Sequence, residues 1–170
     1  MARLDSTALS RFLGELDKEL TRDITLIAVG GTALTLLDAK PSTIDVDFAL
    51  PNDDYDEFQR VLKQVPHGFT VHCFHDGMIF TQDLPEDYLE NASTVRTKMK
   101  HIELKALDPI DIVVTKIGRL NDSDMEDIES CIKKFGLTRG QVEDRAAKVV
   151  YIGREENYRI NLKHVLEKFF

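Results

Sequence analysis

The stretch from Ile24 to Pro51, ITLIAVGGTALTLLDAKPSTIDVDFALP, constrains this chain more than any other. Thr25–Val29 is an unbroken apolar run, the pattern of a strand buried on both faces. Gly30-Gly31 interrupts it. Thr32–Ala39 then resumes with Ala33, Leu34, Leu36 and Leu37 at helical spacing. Lys40-Pro41-Ser42-Thr43 reads as a loop. Ile44–Leu50 alternates, with Ile44, Val46, Phe48 and Leu50 on one side and Asp45, Asp47 and Ala49 on the other. A strand, a glycine turn, a short helix and a second strand follow one another directly.

The two aspartates need a physical account. Positions i and i+2 of a strand share a face, roughly 7 Å apart at their Cα atoms. Two carboxylates held that close repel unless a cation sits between them. Mg²⁺ suits such a pair, because it takes hard oxygen ligands and is held by one or two carboxylates together with substrate phosphates. The competing reading is a solvent-facing strand surface, against the general depletion of aspartate in strands. Gly30-Gly31 also admits two readings. A strand-to-helix turn with free N–H groups can take an anion, and it can equally be an ordinary tight turn. GGTALT is neither a GxGxxG dinucleotide fingerprint nor a P-loop, since no GK[ST] follows.

The rest of the chain supplies a frame. Leu9, Phe12, Leu13, Leu16 and Leu20 make one apolar face of a helix over 6–20, with Asp5 and Ser6 as caps. Asn52–Gln64 is predicted as a helix packed through Tyr55, Phe58, Val61 and Leu62. Phe69–Phe74 and Met78–Thr81 are predicted as a hairpin around His75-Asp76-Gly77. Residues 82–99 give no clear pattern. Lys100–Leu107 alternates as a strand, with Ile102, Leu104 and Ala106 on one face and His101, Glu103, Lys105 and Leu107 on the other. Asp108-Pro109 opens a helix. Asp122–Phe135 is the next, with Gly136 as its stop. Thr138–Val150 and Glu155–Phe169 are predicted as closing helices. Domain organisation is read as a main unit over 1–136 and a C-terminal helical extension over 137–170 packed on it.

In order, a hydrophobic strand, Gly30-Gly31-Thr32, a helix, and Asp45-Val46-Asp47 on the next strand resemble the signature of the nucleotidyltransferase superfamily, the fold shared with DNA polymerase beta. GGTAL…STIDVDF is more narrowly similar to a small prokaryotic branch that includes the AbiEii-type toxins. The resemblance covers about the first three quarters of the chain. It implies an α/β (α+β) fold, a mixed sheet flanked by helices with further C-terminal helices. It implies Mg²⁺ at Asp45 and Asp47, and a third carboxylate on a neighbouring strand, a role carried to Glu103 in Ile102-Glu103-Leu104. The alternative for Glu103 is an ion pair with Lys105. Nucleotide-binding roles fall on Gly30, Gly31, Thr32 and Ser42. In the later helices they fall on Lys116 against the triphosphate, Arg119 beside it and Asp124 orienting the site. For these last three the alternative is a solvated helical face with i, i+3 ion pairs. Ser123 stands where the branch carries a basic residue.

The implied reaction moves a nucleoside monophosphate from an NTP to an acceptor hydroxyl on RNA, protein or a small molecule, and the narrower resemblance adds a toxin–antitoxin-like role to the readings. A catalytically inactive binding or regulatory protein on the same fold is the second reading, and a chance match on an unrelated α/β domain the third. Composition narrows the setting. Charged residues are 31% and hydrophobic residues 42%, so the chain can build a core and remain well hydrated. No run approaches the roughly 18 apolar residues of a membrane span, and MARLDSTALSRFLGELDKEL carries acids unlike a signal peptide. Cys73 and Cys131 read as reduced core thiols, which with the rest predicts a cytoplasmic protein. Net charge is −8, unfavourable for general nucleic-acid binding. The basic segment 133–170 leaves a phosphate-bearing acceptor such as tRNA open beside the plainer reading of a solvated helical surface. An oligomer is possible.

Overall fold

The computed structural model of the protein describes residues 3–170. In chain order its elements are α1 (Ser6–Glu19), β1 (Ile24–Ala28), α2 (Gly30–Leu36), β2 (Val46–Leu50), α3 (Asn52–Leu62), β3 (Val71–His75), β4 (Met78–Ile79), β5 (Gln82–Asp83), α4 (Tyr88–Asn91), β6 (Ser93–Thr94), β7 (Ile102–Ala106), α5 (Pro109–Ile117), α6 (Asp122–Phe135), α7 (Arg139–Ala146), β8 (Val150–Tyr151) and α8 (Glu155–Phe169). This is the mixed α/β architecture expected of the sequence.

β1 occupies the middle of a five-stranded sheet ordered β3-β2-β1-β7-β6. Its apolar run dictates this place, since Leu26, Ile27 and Ala28 are fully buried and require cover on both faces. β1 runs antiparallel to β2, with Ile27 opposite Ala49, and parallel to β7, with Ala28 opposite Ala106. β3 lies parallel to β2 on the outer side. One helical layer comprises α1 and α3. The other is built from α2, α5 and α6, with α7 and α8 packed on α5.

Three expectations change. Residues 69–81 do not form a hairpin: β3 joins the main sheet, and β4 turns instead onto β5. The strand pairing is non-local, because β5 also pairs with the distant β8, Asp83 opposite Val150. The helix predicted over 138–150 ends at Ala146, and Val150–Tyr151 leaves it to form β8. β2 begins at Val46, so Asp45 sits in the bend before the strand, and Ile44 is 42% exposed rather than core. Residues 82–99 hold β5, α4 and β6.

Asp17 on α1 ties the start of β7 to the helical layer. Its carboxylate accepts the backbone N–H groups of Lys100, His101 and Ile102 at 2.8, 2.7 and 2.9 Å. Partial burial works to raise its pKa, but the three N–H donors outweigh this and hold the carboxyl below its ordinary value. A depressed carboxylate stabilises the fold above its unfolded pKa, and the contribution is lost as pH falls through the folded value. Asp17→Asn is expected to cost about 1–3 kcal/mol at pH 7. Urea unfolding should show that difference shrink below about pH 4.

Candidate active site

The site is assembled where β1 ends. Gly30 opens α2 at φ +53°, a left-handed conformation that glycine adopts at little cost. It is also a place of close approach: a Cβ there would lie 3.3 Å from Phe80 Cζ and 3.4 Å from Asp47 Oδ2. Gly31 is bare for a similar reason, since its Cβ would stand 2.8 Å from Thr43 Oγ1. The pair lets the aspartate segment and the tip of the β4–β5 hairpin close onto backbone.

Hydroxyl groups fix that segment. The Thr32 hydroxyl accepts the Asp47 backbone N–H at 2.9 Å, and the Thr43 hydroxyl donates to the Asp45 carbonyl at 2.9 Å. Thr32 also reaches the Asp45 carbonyl, at 3.4 Å. Thr32 is fully buried, and its hydroxyl clamps α2 to the aspartate segment. With their backbone held in this way, Asp45 and Asp47 both line a cleft of about 270 Å³, together with Gly31, Ser42, Lys40, His72, Phe80, Lys116, Arg119 and Asp127.

Asp47 is the most constrained of these groups. It is 9% exposed. Burial pushes its carboxyl above the ordinary range; the hydrogen bond and charge of His72 oppose this, and the charge of Asp45 adds to it. His72 stands directly opposite Asp47 in the β2–β3 register, with Nδ1 2.8 Å from Asp47 Oδ1.

Facing the aspartates is a chain of alternating charge. Lys40 Nζ is 2.8 Å from Asp127 Oδ1, and Lys116 Nζ is 2.9 Å from Asp127 Oδ2 and 3.1 Å from Asp124 Oδ1. Arg119 completes it, bonding Asp124 through Nε and Nη2, both at 2.7 Å. Lys116 and Asp124 are 4% and 0% exposed at their side chains, so this is no solvated helical face. Burial works to raise the Asp124 carboxyl, but the Arg119 fork and the Lys116 charge hold it below the ordinary range. Asp124 also closes a capping box with Asn121 at the start of α6. It lies behind the cleft rather than in it.

The three-carboxylate cluster expected from the sequence does not form. β7 runs parallel to β1, and Glu103 lies opposite Thr25, whereas the Asp47 carbonyl meets the Val29 N–H. Four residues of strand, about 13 Å, separate the two levels. Glu103 lines a different cleft with Asp23, Asp54 and His101, accepts from the Thr25 hydroxyl at 3.4 Å and has Lys105 as a cationic partner at 3.9 Å. Among the described residues, no three His, Cys, Asp or Glu side chains converge tightly enough to hold a metal ion by themselves. A cation here would rest on Asp45 and Asp47 and draw its remaining ligands from elsewhere.

Lys40, Thr43, His72 and Phe80 are among the cleft residues that escape a reading by motif. His72 is recoverable from sequence only if β3 is paired parallel to β2 in the correct register. Lys40 and Thr43 sit in a segment whose composition announces only a loop.

The family model described as "Nucleotidyltransferase of unknown function (DUF6036)" matches residues 7–169. No curated protein matches the sequence. Among solved structures, the solution structure of the antibiotic-resistance factor ANT(2'')-Ia superposes with a TM-score of 0.58 at 12% identity, covering 93% of this chain and 96% of that one. The crystal structure of an antigenic nucleotidyltransferase-like protein from Paracoccidioides brasiliensis gives 0.51 at 19% identity, covering 98% and 95%. At these identities both likenesses speak for the fold.

The buried charge chain has a measurable consequence. Asp124→Asn leaves Lys116 with one carboxylate and Arg119 without its fork. The expected loss is about 3–5 kcal/mol in urea unfolding at pH 7, several times that of removing an exposed helical ion pair such as Glu129–Lys133.

Proposed function

Since the chain belongs to the family of nucleotidyltransferases of unknown function, DUF6036, we propose that the cleft at Asp45 and Asp47 binds a nucleoside triphosphate with Mg²⁺ and transfers its nucleoside monophosphate to an acceptor hydroxyl. One observation carries this reading. Two carboxylates with a clamped backbone share one cleft with Lys40, Lys116 and Arg119.

The donor set fits a hard divalent cation. Both ligands are carboxylates, His72 engages Asp47 at Oδ1, and Oδ2 stands beside the bare backbone of Gly30. When bound, such a cation offsets the charge of the triphosphate and of the leaving pyrophosphate. The chain's own residues supply position and charge. Lys40 and Lys116 present cationic groups to the phosphates. They are already paired with Asp127, which keeps them in place without an excess of positive charge. Gly31 and Ser42 line the same side of the cleft and admit phosphate oxygens near the backbone. The acceptor oxygen bonds to the α-phosphorus as the bond to the bridging oxygen breaks and pyrophosphate leaves. Asp45, Asp47 and Glu126 are the cleft carboxylates outside the Lys40–Asp127–Lys116 network and are the candidates to receive the hydroxyl proton. Glu103 has no part in this scheme, and Asp124 acts by holding Lys116 and Arg119.

The acceptor belongs to the proposal only as a class: RNA, protein or a small molecule. A toxin-like role, the AbiEii-like branch, a prokaryotic source, a cytoplasmic setting and the division of the chain at residue 136 stand on the sequence resemblance and composition. Among the described residues no helix is long and apolar enough to cross a membrane. One observation favours a non-catalytic nucleotide-binding protein as the second reading: a histidine, not a third carboxylate, faces Asp47 from the neighbouring strand.

Labelled NTPs and Mg²⁺, with total RNA and cell lysate as acceptors, separate the two. Transfer is expected in the wild type, with a loss of about a hundredfold or more in Asp45→Ala and Asp47→Ala. Asp47→Asn is expected to raise the thermal midpoint by a few degrees, because it removes a buried charge whose ionisation the fold disfavours. Undiminished transfer in both alanine variants would refute the assignment. Nucleotide binding with no transfer to any acceptor would favour the second reading.

A further inference from the structure

Phe80 is out of place as a core residue. It sits at the tip of the β4–β5 hairpin with φ +56°, a conformation that a bulky side chain rarely adopts. Glycine or asparagine is the relaxed choice at such a turn. Its ring is only partly buried, lines the cleft of Asp45 and Asp47, and lies against Gly30, which has no side chain to exclude it. Phe74 meets the ring edge-on, with centroids 5.1 Å apart. Strain of this kind persists where the surroundings over-determine it, and it concentrates at binding sites.

Arg119 lies over the same ring, its guanidinium carbon 5.1 Å from the centroid. The Nε and Nη2 groups of this arginine are spent on Asp124. The fork is therefore turned away from the cleft and its plane is held fixed. Its side chain is 54% exposed and lines the cleft, so the Nη1 edge and the surface of the guanidinium beside Phe80 remain open to a ligand. A guanidinium held in place beside an aromatic ring is a surface for a planar, π-rich group.

We propose that Phe80 and Arg119 form the platform on which the nucleobase of the donor stacks, with the triphosphate directed toward Lys40 and Lys116. The inference rests on the nucleotide-binding reading of the cleft. Stacking accepts every base, since each has a π face. The strength of stacking rises with the area of the ring, so the larger purines are favoured over pyrimidines.

Calorimetric titration of the full chain with Mg²⁺ and ATP, CTP or inorganic tripolyphosphate tests this, the last being a probe without a base. The wild type should bind ATP more tightly than CTP. Phe80→Leu should weaken ATP binding about tenfold and leave tripolyphosphate binding unchanged, while Phe80→Tyr, which keeps the ring, should restore ATP binding. Arg119→Lys, which keeps the charge and loses the plane, should follow Phe80→Leu. Unchanged ATP affinity in Phe80→Leu, or an equal loss for tripolyphosphate, would overturn the platform and leave the nucleotide reading standing. A wild type that binds neither ATP nor tripolyphosphate would overturn both.

Discussion

An aspartate with almost no access to water is costly to keep ionised, and the arrangement around Asp47 is built on that cost. The side chain lies on a strand whose five positions are all buried, at the point where β1, α2 and β3 meet. Its backbone N–H is taken by Thr32, its Oδ1 by His72, and a cationic wall stands across the cleft. Without these partners the position would favour a neutral residue. With them it holds an oxygen-donor group whose charge is only partly compensated by the protein.

The wall opposite has the reverse character. Lys40, Lys116 and Arg119 are three cations interleaved with Asp127 and Asp124. Each of the two lysines has a carboxylate partner, so the network satisfies itself. A self-satisfied buried pair contributes little net stability, yet removing one member exposes the other to the full desolvation cost. The network therefore acts as a fixed scaffold that keeps the helical residues at one distance from the aspartates. The capping box at Asn121 and Asp124 couples that scaffold to the start of α6, so helix nucleation and site geometry share one carboxylate.

The hairpin of β4 and β5 adds the remaining wall. It is anchored at a distance, by β8 near the C-terminus, and its strained tip is pressed against the glycine turn. The segments that complete the site thus come from four separated parts of the chain, and no local stretch could present them alone.

Much of the frame was legible in the residues themselves. The apolar run of β1, the faces of α1 and α3, the Asp108-Pro109 start of α5 and the Gly136 stop of α6 all follow from periodicity and capping, which depend on neighbours in sequence. The glycine turn and the aspartate pair were legible for the same reason, because their spacing fixes their relation within one connected unit. What periodicity could not supply was register. Alternation says that Glu103 shares a face with Lys105, but only the pairing of β7 with β1 decides at which end of the sheet it emerges. Likewise, only the parallel pairing of β3 with β2 sets His72 against Asp47, and only the fold brings Phe80 over Gly30. Local order comes from steric and hydrogen-bonding preferences that a short stretch carries with it. The meeting of distant side chains comes from how strands slide and pair, which depends on packing across the whole chain.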